Sequence, residues 1–112
     1  MVNINFNENV EGKRKQKRLI VSGHAGYAEK GKDIVCAGIS SIVSALHGYI
    51  ENYPDCVSYS SFSDEDGGFM DITAEFPAKA ESAVKAAFDM ALIGLLQIEM
   101  SYPNNVTVSH KK

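Results

Sequence analysis

No run in this 112-residue chain reaches the roughly 18 consecutive apolar residues of a membrane span. Met1 to Asn9 alternates apolar side chains with asparagines and lacks the apolar block of a secretory signal, so a cytoplasmic protein with no membrane contact is expected. Basic charge is not in excess either. Fourteen Asp and Glu outweigh eleven Lys and Arg, for a formal net charge of -3, which argues against a nucleic-acid binder. Cysteine is scarce: Cys36 and Cys56 lie 20 positions apart, form no C-x-x-C motif, and are expected to stay as thiols in a reducing compartment. No Cys/His cluster has zinc-ligand spacing, so neither a metal nor a cofactor is expected. Internal repeats and low-complexity linkers are lacking as well. What is present suffices for a single domain over residues 1–112, because 45% hydrophobic residues at this length can bury one core but not two.

Val2, Ile4 and Phe6 alternate with Asn3, Asn5 and Asn7, the period of a strand with one buried face. Leu19, Ile20 and Val21 lie in a β-prone run, Lys17 to Ser22, that can return antiparallel after a turn at Asn9 to Gly12. From Ile34 the period becomes helical: Val35, Ile39, Ile42, Leu46 and Tyr49 form a stripe that Val43 and Ile50 widen, and Asp33 suits the N-cap. Pro54 ends this helix. Val57, Tyr59 and Phe69 to Phe76 predict a hairpin around the turn Asp64-Glu65-Asp66-Gly67-Gly68. Pro77 suits the first turn of a second helix carrying Ala80, Val84, Ala87, Phe88, Ala91, Leu92 and Leu95, and Pro103 closes it. Val106 and Val108 make a last strand, and His110-Lys111-Lys112 reads as a frayed tail. The order ββαββαβ implies an α+β fold, a mostly antiparallel sheet of about five strands with both helices on one face. Helices this apolar also leave a surface suited to a homodimer.

The segment from Gly23 to Ala37 joins the second strand to the first helix and carries the chemistry. With Asp33 as N-cap, Cys36 is the third helical residue, where the helix dipole and unpaired N–H groups favour a thiolate while the Asp33 charge opposes it. A lone cysteine is also commonly a small buried hydrophobe. His24 opens the same loop, and the eight residues before Asp33 can fold back to bring imidazole and thiol together, the minimum pair for acyl transfer. His47 lies about 16 Å along the helix from Cys36, too far to serve, and His110 is in the tail. Ser40 stands one turn below Cys36 on the same face, where it can bond a substrate group or its own backbone.

Other motifs compete. Gly26, Gly31 and Lys32 fit the G-x-x-x-x-G-K of a phosphate-binding loop, but Asp33 replaces the hydroxyl that would hold magnesium and would repel phosphate. The basic run Lys13 to Arg18 can touch RNA or an acidic surface, although a solvated turn beside a charge-guarded edge strand explains it too. The acidic turn at 64–68 is too short for an EF-hand. Asn105-Val106-Thr107 is a glycosylation sequon without meaning in the cytoplasm. Cys56 has no nearby His and is expected to be structural.

Gly23-His24-Ala25, then Gly31-Lys32-Asp33-Ile34-Val35-Cys36-Ala37 and Ser40, resemble the signature of the ribosomal-processing cysteine protease family, Prp. Length, element order, the Gly67-Gly68 hairpin and the long Ala/Leu helix are similar too. The resemblance implies a homodimeric endopeptidase that removes an N-terminal extension from a large-subunit ribosomal protein and cleaves after an aromatic residue. It implies His24 as general base, Cys36 as nucleophile, and Asp33 and Ser40 as supporting residues. It further implies a substrate-gating loop containing Gly23, Ala25, Gly26, Tyr27, Gly31 and Lys32. Backbone N–H groups around Ala37 and Gly38 are expected to hold the oxyanion. Asp33 either orients His24 or caps the helix and tethers the loop. From the residues themselves two other classes stay open, a non-catalytic ribosome- or RNA-associated module and a thiol redox protein.

Overall fold

The alternation that begins at Val2 makes a strand longer than its periodicity predicts. In the computed structural model of the protein, β1 (Val2–Glu11) runs antiparallel to β2 (Arg14–Ser22), with Asn3 opposite Ser22 and Glu11 opposite Arg14. The structure describes residues 1–11, 14–29, 32–63 and 68–110, with 10 and 11 as backbone only. Gly12 of the first turn, Lys13 of the basic run, Lys30 and Gly31 of the loop, turn residues 64–67, and Lys111 and Lys112 lie outside the described residues.

β2 is not an edge strand. Five strands order as β3-β4-β2-β1-β5, so the basic run from Arg14 to Arg18 occupies the middle of the sheet. This corrects the expectation of an edge strand guarded by charge. The physical reason is that each cation finds a carboxylate on a neighbouring element. Arg14 pairs with Glu75 at 2.8 Å, Lys15 with Glu81 at 2.7 Å, Lys17 with Glu8, and Arg18 with both oxygens of Asp71.

Asp33 starts α1 (Ile34–Asn52) as its N-cap, and Val35, Ile39, Val43, Leu46 and Ile50 form its buried stripe. Tyr49, expected in that stripe, is exposed. By length and composition α1 could cross a bilayer, yet these five residues pack into the core. β3 (Val57–Ser63) and β4 (Phe69–Pro77) form the second hairpin. Pro77 ends β4 instead of starting the helix; a 3-10 turn, Ala78–Ala80, leads into α2 (Glu81–Ser101), which buries Val84, Phe88, Ala91 and Leu95. β5 (Val106–His110) lies parallel to β1, the one parallel pair among the described residues in a mostly antiparallel sheet. His110 belongs to this strand, opposite Phe6, and so is not part of a frayed tail.

Both helices cover one face of the sheet. Val2, Ile4, Leu19, Val21, Ile72, Ala74, Phe76 and Val106 meet them there, all at most 3% exposed. Each large apolar side chain so buried is worth about 1.5–3 kcal/mol. This packing fixes the N-terminus of α1 beside the end of β2, and the Gly23 to Asp33 segment bridges that short gap.

Candidate active site

A cleft of about 680 Å³ opens where β2, the N-terminus of α1 and the β3–β4 hairpin converge. His24, Asp33, Cys36 and Ser40 all line it. Cys36 is half-buried in the first turn of α1, Ser40 stands exposed one turn further on, and His24 is exposed just beyond β2. Among the described residues no hydrogen bond joins His24 to Cys36; the imidazole instead stands over Gly68, where a Cβ would lie 3.5 Å from its Cε1.

The loop is held at several points. Ala25 is 2% exposed, and its N–H donates to Cys36 Sγ at 3.4 Å. Its carbonyl accepts from Asn105 Nδ2 at 2.8 Å. Tyr27 packs edge-on against Tyr102 with ring centroids 5.2 Å apart. Gly26 has a positive φ of +69°, and Lys32 pairs with Glu29 at 3.0 Å in solvent. Gly23 leaves β2 hydrogen-bonded through its N–H to the Gly68 carbonyl at 3.0 Å.

Asp33 does two jobs with its two oxygens. Oδ1 accepts from the N–H groups of Val35 and Cys36, both at 3.0 Å, and so caps the helix. Oδ2 accepts from Tyr27 at 3.1 Å and Ala28 at 3.3 Å, and so ties the loop to that cap. Partial burial pushes this carboxyl up, but the N–H donors of Cys36, Ala28, Tyr27 and Val35 outweigh it and hold the group below its ordinary value of 3.8. Of the two roles open to Asp33, these contacts are those of cap and tether.

The same contacts correct the expected oxyanion site. Ala37's N–H is committed to the Asp33 carbonyl at 3.1 Å, and Gly38 lies inside the helix, where its N–H belongs to the ladder. The unpaired N–H groups expected to favour a Cys36 thiolate are likewise taken by Asp33. The donor aimed at the sulfur comes from across the loop, at Ala25. A phosphate-binding loop is excluded on similar grounds. β2 is antiparallel to both neighbours, and the Asp33 carboxylate occupies the N–H groups a phosphate would need.

Sequence reasoning missed the far wall. Phe62, Phe69 and Met70 line the cleft from the second hairpin, and the exposure of two phenylalanines flanking a predicted turn is the signal that marks them. It missed Tyr102 and Asn105 as well, whose contacts with the loop span 75 and 80 residues of sequence. Cys56 lies past the far end of α1, with about 24 Å of helix between Cys36 and Asn52. Burial pushes its thiol up against the opposing pull of Arg14. That separation leaves no redox pair.

The cap makes a test of its own. Asp33→Ala should cost about 1–2 kcal/mol of stability, because it removes a helix cap together with the loop tether. Asp33 is lowered in the folded state, so its contribution is present above the unfolded value and is lost as pH falls through the folded one. Urea denaturation should therefore show the gap between wild type and Asp33→Asn narrowing from about pH 5 towards about pH 2. A gap that widens on acidification would contradict the assignment.

Residues 1–107 match the family model described as cysteine protease Prp. The ribosomal processing cysteine proteases Prp of Mycoplasma genitalium and Staphylococcus aureus are each 31% identical to this chain, over 99% of it and 97% and 100% of their own lengths. The crystal structure of the S. aureus protease in complex with a covalently linked product peptide is similar at a TM-score of 0.80 and 27% identity, covering 99% of this chain and 100% of that one. The same protease in complex with a substrate peptide gives 0.72 at 26% identity with the same coverage.

Proposed function

The chain belongs to the Prp family of ribosomal processing cysteine proteases, and from that premise we propose an endopeptidase in which His24 is the general base and Cys36 the nucleophile. Its substrate is the N-terminal extension of a large-subunit ribosomal protein. The observation that carries this reading is the convergence of His24 and Cys36, from separate elements, on one solvent-open cleft large enough for a peptide. The S. aureus relative, which holds substrate and product peptides, supports a peptide as occupant.

The mechanism follows from these residues. His24 takes the Cys36 proton, and the thiolate sulfur bonds to the scissile carbonyl carbon while the carbonyl π pair moves onto oxygen. The Ala25 N–H, which bonds the sulfur, is the donor assigned to that oxyanion once the sulfur has reacted. Collapse breaks the C–N bond, and the imidazolium returns its proton to the departing amine. Water, deprotonated by His24, then attacks the thioester, releases the carboxylate and restores the thiol. Asp33 caps the helix under Cys36, and Ser40, exposed in the cleft, bonds the substrate backbone. The loop from Ala25 to Lys32 gates entry of the peptide.

The enzyme works in the cytoplasm, where both cysteines stay reduced. It pairs as a homodimer through apolar helix surface: Met90, Ile93 and Met100 share one exposed face of α2, at 74%, 57% and 81% exposure. The test is a synthetic peptide spanning the N-terminal extension of the organism's own ribosomal protein, followed by mass spectrometry. A single cut is the expected result. Binding without any cut overturns the reading in favour of a non-catalytic ribosome-associated module.

A further inference from the structure

Asn105 sits at the turn between α2 and β5, and its main chain is fixed on both sides. Its N–H donates to the Tyr102 carbonyl at 3.0 Å, and its carbonyl accepts from the Val2 N–H at 2.9 Å, next to the parallel β1–β5 pairing. From this rigid post the half-buried side chain reaches 80 residues back in sequence and donates to the Ala25 carbonyl at 2.8 Å. Ala25 in turn donates its N–H to Cys36 Sγ. The helix-terminal N–H groups nearest the sulfur are spent on Asp33, so this loop amide is the donor directed at it.

We infer that Asn105 is a positioning residue for the protease reaction: by holding the Ala25 carbonyl it aims the Ala25 N–H at the Cys36 sulfur. The inference rests on the assignment of Cys36 as nucleophile. Held against the Ala25 amide, the Cys36 sulfur keeps one orientation in the cleft, the one from which it attacks. The same amide is then in place for the oxyanion that forms on the carbon bonded to that sulfur. Without Asn105 the loop at Ala25 loses its anchor to the α2–β5 turn, and the whole residue, its N–H included, is free to shift away from the thiol.

The test compares wild type with Asn105→Asp, nearly the same size but without the donor, and Asn105→Ser, a shorter side chain that disturbs the fold less. Each full-length protein is treated with limiting iodoacetamide at about pH 7.5, and adducts on Cys36 and Cys56 are counted separately by peptide mass spectrometry. Alkylation of Cys36 should slow about fivefold in both variants while that of Cys56 stays constant. With a cleavable peptide, kcat should fall by a similar factor and KM should hold within about twofold. Unchanged Cys36 alkylation overturns the inference. So does faster reaction of both cysteines together, which marks general loosening. The alkylation arm needs no proteolysis, so it is separable from the assignment of Cys36: cleavage that survives Cys36→Ala removes the nucleophile whatever Asn105 does.

Discussion

Cys36→Ala is expected to lower peptide cleavage by a factor on the order of 10⁴ or more, and His24→Ala by nearly as much. Nucleophile and base act as one unit, so the double variant should be no slower than Cys36→Ala alone. The fold should survive all three changes. Cys36 is half-buried and His24 exposed, so neither substitution empties the core, and thermal midpoints should stay within a few degrees of wild type. Cys56→Ala supplies the contrast. That thiol is raised by burial and stands beyond the opposite end of α1 from the cleft, so its removal should leave kcat unchanged. Steady-state cleavage of the ribosomal-protein peptide by wild type and the four variants checks the set. Turnover by Cys36→Ala, or its loss in Cys56→Ala, would move the nucleophile elsewhere.

The parts of this site that lie close together in sequence were legible from it. Asp33 followed by an apolar stripe from Val35 is a helix start whose physics is local, and the cap is found where it was expected. The hairpins were visible because alternation and turn residues are also local signals. The order of the strands was not, since nothing in Val106 to His110 specifies a parallel partner at Val2 to Phe6. The basic run was misplaced for a related reason. Arg14 to Arg18 looks solvated until Glu75, Asp71 and Glu81, some 53 to 66 residues away, are brought alongside. In the site, the first turn of α1 carried its own evidence, while the N–H donor at the sulfur did not. The sequence shows which N–H groups a helix leaves free but cannot show that Asp33 uses them, or that Ala25, anchored by Asn105, takes their place at the sulfur.

Gly23 is where backbone conformation and catalysis meet, and Gly23→Ala should be the most damaging single methyl added to this loop. The residue has φ of +95°, a region L side chains rarely adopt, and an added Cβ would lie 2.3 Å from the Met1 carbonyl oxygen. Main chain bounds the position on two sides, because the Gly23 N–H is bonded to the Gly68 carbonyl. Relief therefore requires the starts of β1 and β4 to part, not a side chain to turn aside. Strain and lost strand pairing together should cost about 2–4 kcal/mol and lower the thermal midpoint by roughly 10 °C or more. His24 follows directly and packs over Gly68, so the same shift moves the proposed base. A displacement of about 1 Å is enough for a hundredfold fall in kcat at temperatures where the variant remains folded. Gly26→Ala isolates the contribution of backbone conformation. Its φ is also positive at +69°, but a Cβ there meets nothing within 4 Å, so only the left-handed strain of roughly 1–2 kcal/mol applies. Thermal melts and cleavage rates of the two variants side by side decide the matter. Equal midpoints would show that the contact with Met1 relaxes freely, and a clear deficit in Gly23→Ala together with the fall in kcat would show that the end of β2 holds His24 in the place the proposed mechanism requires.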